Sequence, residues 1–129
     1  MTPAAVLNIH AEVTEARGLD NLGWGSSCTA RVEHFPQRPR LPCRVEVRCD
    51  GEILYGHRAT NGFLSTCSVD TNSTPPRFSG EDDEQSLQGG GDGAIRLDSQ
   101  SGTFRVSDND HGHLDSFELE ARIRSIELE

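Results

Sequence analysis

The chain has no lysine: all twelve basic residues are arginine. The absence reads first as codon bias from a GC-rich genome, and it removes every target of lysine-directed modification. Aromatic residues are scarce, with one Trp, one Tyr and five Phe, so a core must be built mostly from Val, Ile and Leu. No apolar run approaches the ~18 residues of a membrane-spanning helix. The opening Met1–Asn8 has neither a basic n-region nor a full apolar h-region, so no secretory signal is expected and the default compartment is the cytoplasm. Cys-x-x-Cys is missing, which argues against a zinc knot. No helix-period pattern of normal length is present. Nucleic acid is disfavoured as a partner by a net charge of −9 and a pI near 4.9.

What is present is alternation with a period of two. Successive side chains of a strand point to opposite faces, so an apolar/polar beat marks a half-buried strand. Ile9-His10-Ala11-Glu12-Val13 carries it, as do Cys28–Glu33, Phe63–Val69, Ala94–Leu97, Thr103–Ser107 and Ser116–Ile123. Cys43–Cys49, then Asp50-Gly51, then Glu52–Tyr55 reads as a hairpin, because Asp-Gly supplies the positive φ angles of a two-residue primed turn. After Ile123 the beat slips by one to Ile126 and Leu128, which predicts a bulge or small turn near Arg124-Ser125. Three prolines exclude Phe35–Pro42 from any central strand. Residues 70–93 read as one long polar loop, with Pro75-Pro76, the acidic run Glu81–Glu84 and Gly89–Gly91. About eight strands without helices, in a chain of single-domain length (1–129), imply an all-β antiparallel sandwich or barrel.

Four cysteines, Cys28, Cys43, Cys49 and Cys67, sit on this pattern. If Cys43–Cys49 is one straight strand its two sulfurs lie ~20 Å apart and cannot pair. Two connectivities remain, Cys28 with Cys43 or with Cys49, Cys67 taking the other partner. In a cytoplasmic protein the plainer expectation is four half-buried thiols.

Three stretches carry a resemblance. Val13-Thr14-Glu15-Ala16-Arg17-Gly18-Leu19, followed by Gly25-Ser26-Ser27 and a strand, resembles the opening of the C-two domain, the calcium- and phospholipid-binding β-sandwich of protein kinase C and the synaptotagmins. Thr74-Pro75-Pro76-Arg77-Phe78-Ser79-Gly80-Glu81 is similar to that family's mid-domain motif. Phe104-x-Val106-x-Asp108-x-Asp110, then Asp115-x-Phe117, is similar to its third loop, and Leu119–Leu128 to its last strand. The departures are Ser27 where the family has a calcium-binding aspartate, a short first loop with Asp20 as its only acid, and an extra cysteine-containing hairpin. The resemblance implies an eight-stranded C-two-like antiparallel sandwich.

It also implies a site. Asp108, Asp110 and Asp115, with Asp20 as a fourth, would hold calcium, a cation that takes six to eight oxygens. Two plainer readings stand beside it: a polar Asn-Asp-His-Gly turn, and a transition metal held by His111, His113 and an aspartate. Arg38, Arg40, Arg44 and Arg48 match the family's basic patch for anionic lipid, where each cation near a bilayer contributes about 1 kcal/mol. They equally suit a solvated strand face balanced by its neighbours. Leu22, Trp24 and Leu114 are candidate bilayer contacts, Trp24 being as suited to plugging a core. Gly23–Ser27 lacks the strand-turn-helix setting of a nucleophile elbow, and no paired acid/base set stands out. The expectation is a non-catalytic binding module: a peripheral membrane or phospholipid adaptor assisted by calcium, or a calcium-independent protein-interaction or assembly subunit. Self-association stays open.

Overall fold

In the computed structural model residues 2–56, 62–82, 92–109 and 117–129 are described, with the backbone alone at 92, 93, 108 and 109. Among them are nine strands and no helix: β1 (Ala5–Arg17), β2 (Ser27–His34), β3 (Cys43–Cys49), β4 (Glu52–Tyr55), β5 (Thr66–Asp70), β6 (Arg77–Asp82), β7 (Asp92–Asp98), β8 (Thr103–Asn109) and β9 (Phe117–Leu128). All pairings are antiparallel, and the strands follow one another as β4-β3-β2-β1-β9-β8-β7-β6-β5. The expected all-β antiparallel class is therefore present. The strand count is nine instead of eight, and the hydrogen bonds join one curled sheet where two stacked sheets were expected. No helix among the described residues is long and apolar enough to cross a membrane.

Parity explains how the curl ends. Antiparallel neighbours alternate in direction, so the two outermost of nine strands run the same way and cannot complete an antiparallel ring. β3 resolves this by dividing its free edge. Val47–Cys49 pairs with β4, whereas the first half of β3 pairs with residues 62–64. There the Val45 amide donates to the Gly62 carbonyl (2.7 Å) and the Leu64 amide to the Cys43 carbonyl (2.9 Å). The next amide, Ser65, donates to the Glu81 carbonyl on β6 (3.1 Å). One stretch of chain thus stitches the two ends of the sheet together, while β4 pairs with the second half of β3.

The seam is tightly packed. Gly56 and Gly62 have positive φ (80° and 97°), and a Cβ on either would collide with the Val45 backbone. A disulfide joins Cys43 on β3 to Cys67 on β5, and the Tyr55 hydroxyl on β4 donates to Asp82 Oδ2 on β6 at 2.9 Å.

Inside the curl lies one apolar core. Leu7, Ile9 and Val13 of β1 meet Val32, Val45, Val47, Ile95, Leu97, Val106 and Leu119, and the scarce aromatics supply Phe78 and Phe104. Burying each such side chain contributes roughly 1.5–3 kcal/mol.

Local readings hold where local chemistry decides. Asp50 (φ 48°) and Gly51 (φ 87°) make the β3–β4 turn with the required positive angles. His10 lies opposite Ser125 and Ala11 opposite Ile123, which leaves Arg124 as the extra residue of a bulge. The 70–93 loop is corrected: it contains β6. Inward positions of β6 hold Phe78, Gly80 and Asp82, and only the first is apolar and bulky. At Gly80 an added Cβ would lie 2.7 Å from Leu64 Cδ1 and 2.9 Å from Phe78 Cζ, so these packed side chains would have to shift to admit one. The acidic run ends in that strand, with Glu81 and Asp82 on opposite faces, while residues 83–91 lie outside the described set. The four cysteines pair as Cys28–Cys49 and Cys43–Cys67, one of the two connectivities left open and not the free thiols expected. Cys28 and Cys49 face each other directly across β2 and β3.

Candidate binding rim

Strand directions decide which loops share an end of the sheet. Arg17 at the end of β1 lies opposite Glu118 on β9, and Asp108 near the end of β8 lies opposite Phe117. The β1–β2 loop and the end of β8 therefore sit on one rim. The β2–β3 loop, with Arg38 and Arg40, leaves from the opposite end, where Ala5 pairs with His34.

Residues 23–26 build the most distinctive feature of the first rim. The Ser26 amide donates to the Gly23 carbonyl (3.0 Å) and Gly25 has φ 91°, the geometry of a type II turn with glycine at its third position. Trp24 occupies the second position. The turn is fixed to β1 by two bonds of 2.8 Å, Gly25 N–H to Val13 O and Val13 N–H to Ser26 O. The Ser26 hydroxyl also accepts from the Gly23 amide (3.1 Å). Trp24 is 80% exposed at the apex, so it does not plug the core. Leu22, expected beside it as a surface contact, is 7% exposed and belongs to the core. Leu114 lies outside the described residues.

Of the expected calcium ligands, Asp20 is exposed in the β1–β2 loop, and Asp108 is placed by its backbone in β8. Asp110, Asp115, His111 and His113 lie outside the described residues, as does the side chain of Asp108.

The arginines of the expected lipid patch are largely engaged with the protein. Arg48 Nε lies 2.7 Å from Glu46 Oε1, and Arg44 is 3.9 Å from Glu33, itself 3.4 Å from Arg31. Arg38 stacks on the ring of Phe63, its guanidinium 4.1 Å from the centroid, while Arg40 is exposed. Exposed pairs like these contribute little to stability, yet they compensate the charge that would face an anionic surface.

Two arrangements were not anticipated from the residues. The first is the Tyr55–Asp82 pair, both members buried (5% and 3% exposed). Burial, and then the charge and hydrogen bond of Asp82, push the Tyr55 phenol far above its ordinary range. The second is a meeting of His34, Cys43 and Cys67, whose ligand-type atoms all lie within 4.8 Å of one another. Burial holds the His34 imidazole below its usual pKa. The signal for this second group was the Phe35–Pro42 connection, which sets His34 opposite Cys43 once β2 and β3 pair. Elsewhere, Asp70 is held low by the Asn72 amide and the Ser73 hydroxyl, a turn-forming arrangement at the surface. A shallow groove of about 390 Å³ runs beside Cys67, Ser79, Glu81, Arg96 and Asp98.

No protein-family model, curated protein or solved structure matches the chain.

Proposed function

We propose that the chain is a non-catalytic binding module that engages its partner through the rim carrying Trp24. The observation that carries this reading is the presentation of the single tryptophan, 80% exposed yet held on a hydrogen-bonded type II turn. An aromatic side chain with an apolar body and a polar N–H suits a bilayer interface or a protein interface. Pre-ordering it lowers the entropy lost on binding. In the first form of the proposal the partner is a phospholipid surface, with calcium held by Asp108, Asp110, Asp115 and Asp20 as the C-two resemblance implies. That β8 ends on the same rim as the Trp24 turn supports it. Calcium matters because a domain of net charge −9 is otherwise repelled by anionic lipid.

The second form is a calcium-independent protein contact. It is favoured by the arginines, which are largely paired within the sheet. Two disulfides also fit an oxidising compartment better than the cytoplasm expected by default.

The lone tryptophan makes the rim its own reporter. Its fluorescence is recorded while vesicles of phosphatidylcholine and phosphatidylserine are added, with calcium and then with chelator. A blue shift that needs calcium and is lost in Asp108→Asn/Asp110→Asn supports the first form. No shift under either condition removes the membrane form and leaves the protein contact.

A further inference from the structure

Among the described residues only one group of three or more His, Cys, Asp or Glu side chains has converging ligand atoms, and it is His34, Cys43 and Cys67. Three strands supply it. His34 ends β2, Cys43 begins β3 directly opposite, and Cys67 on β5 reaches Cys43 across the seam. All three sit on inward-facing positions at the end of the sheet away from Trp24. Zinc takes thiolate sulfur at about 2.3 Å and imidazole nitrogen at about 2.0–2.1 Å, which sets ligand-to-ligand distances of roughly 3.3–3.8 Å in a tetrahedron. The imidazole nitrogen, within 4.8 Å of both sulfurs, needs to close by only about 1 Å, and the two sulfurs, bonded in the disulfide, need to separate to about 3.8 Å once reduced. Two sulfurs and one nitrogen are soft to borderline donors, unsuited to calcium and suited to zinc. The Cys28–Cys49 bridge has no such third group beside it among the described residues. His34 and Cys67 are half-buried, so the cluster keeps some contact with solvent.

We propose that reduction of the Cys43–Cys67 disulfide turns this cluster into a three-ligand site for zinc. A thiol reductant attacks one sulfur, and a mixed disulfide forms. A second reductant thiol resolves it, so the reductant leaves as its own disulfide and both cysteines become thiols. Zinc(II) then displaces one proton from each thiol and takes the lone pair of the neutral His34 ring, with water in the fourth position. The ion ties β3 to β5 where the covalent bridge did, so the seam is held in either redox state.

The test uses the full chain reduced with a phosphine, which becomes a phosphine oxide and leaves no competing thiol. Cobalt(II) is titrated in as a spectroscopic probe for zinc. The expected result is a thiolate-to-cobalt charge-transfer band that saturates at about one ion per chain and is bleached by zinc. The band persists in Cys28→Ala/Cys49→Ala, weakens roughly tenfold or more in affinity in His34→Ala, and vanishes in Cys67→Ser. Adding zinc slows alkylation of the half-buried Cys67 in the reduced chain and leaves the fully buried Cys28 and Cys49 as slow as before. Absence of the band, its survival in Cys67→Ser, or alkylation of Cys67 unchanged by zinc would overturn the proposal. So would a reduced chain that loses its β-sheet circular dichroism and does not regain it with zinc.

Discussion

Replacing Tyr55 with phenylalanine isolates one hydrogen bond at the seam. The ring stays and only the hydroxyl goes, from a site where Tyr55 is 5% exposed and its acceptor Asp82 is 3% exposed. Two effects oppose each other. Removing a polar atom from an apolar core is favourable by itself, whereas a buried carboxyl group that loses a donor loses solvation it cannot recover from water. A hydrogen bond to a charged group contributes roughly 1.5–3 kcal/mol, and the 2.9 Å bond is short enough to lie in that range. The expected cost of Tyr55→Phe is therefore about 2 kcal/mol. For a chain of this length that lowers the melting temperature by roughly 5–10 °C. Urea denaturation should show a lower midpoint at unchanged slope. Asp82→Ala and the double variant complete a thermodynamic cycle. Because the double variant removes both polar partners, its loss should fall short of the sum of the singles by more than about 1 kcal/mol. A neutral or stabilised Tyr55→Phe, or singles that add within about 0.5 kcal/mol, would refute the argument that this bond closes the sheet.

The same pair sets an alkaline limit. The folded phenol resists ionisation while the unfolded one ionises near pH 10, so above that pH the unfolded chain binds fewer protons and stability falls as pH rises. Midpoints measured from pH 8 to 11 should decline above about pH 10 in the wild type and flatten in Tyr55→Phe. Gly62→Ala should destabilise by more than 1 kcal/mol, against a gain of a few tenths at a compatible site, because its φ is 97° and the added Cβ meets the Val45 backbone. Thermal melts of Gly62→Ala beside Gly102→Ala, which has positive φ but open space around it, separate collision from backbone strain alone.

How much of this was legible in the sequence depended on how local the determinant was. The β3–β4 turn was readable because Asp50-Gly51 needs nothing but its own φ angles, and the Arg124 bulge because the apolar beat itself skips a residue. β6 was hidden because Gly80 and Asp82 are inward residues whose identities are set by Leu64 and Tyr55, far away in the chain. Strand length narrowed the cysteine connectivity to two choices, and only the register of β2 on β3 selects between them. At the rim, Leu22 and Trp24 are near neighbours in sequence with opposite fates, decided by a turn that points one inward and the other out. The arginine stripe was visible, and Arg31 and Arg48 have acidic partners two residues away on their own strands, whereas the Arg44–Glu33 pair comes from cross-strand register. Asp110 and Asp115 of the aspartate loop lie outside the described residues.

The position of β1 has a consequence for how the protein is made. Its longest ladder, from Leu7↔Leu128 to Arg17↔Glu118, is with β9, the last of the nine strands in chain order. During translation β1 can pair with β2 on one side while its other edge stays open until β9 has emerged. An unpaired edge beside buried-type residues such as Ile9 and Val13 is a template for association with other chains. Joining segments more than a hundred residues apart also carries a large loop-closure cost before any contact is gained. The β1–β9 ladder thus forms late, and the arrival of β9 decides whether the open edge of β1 is protected.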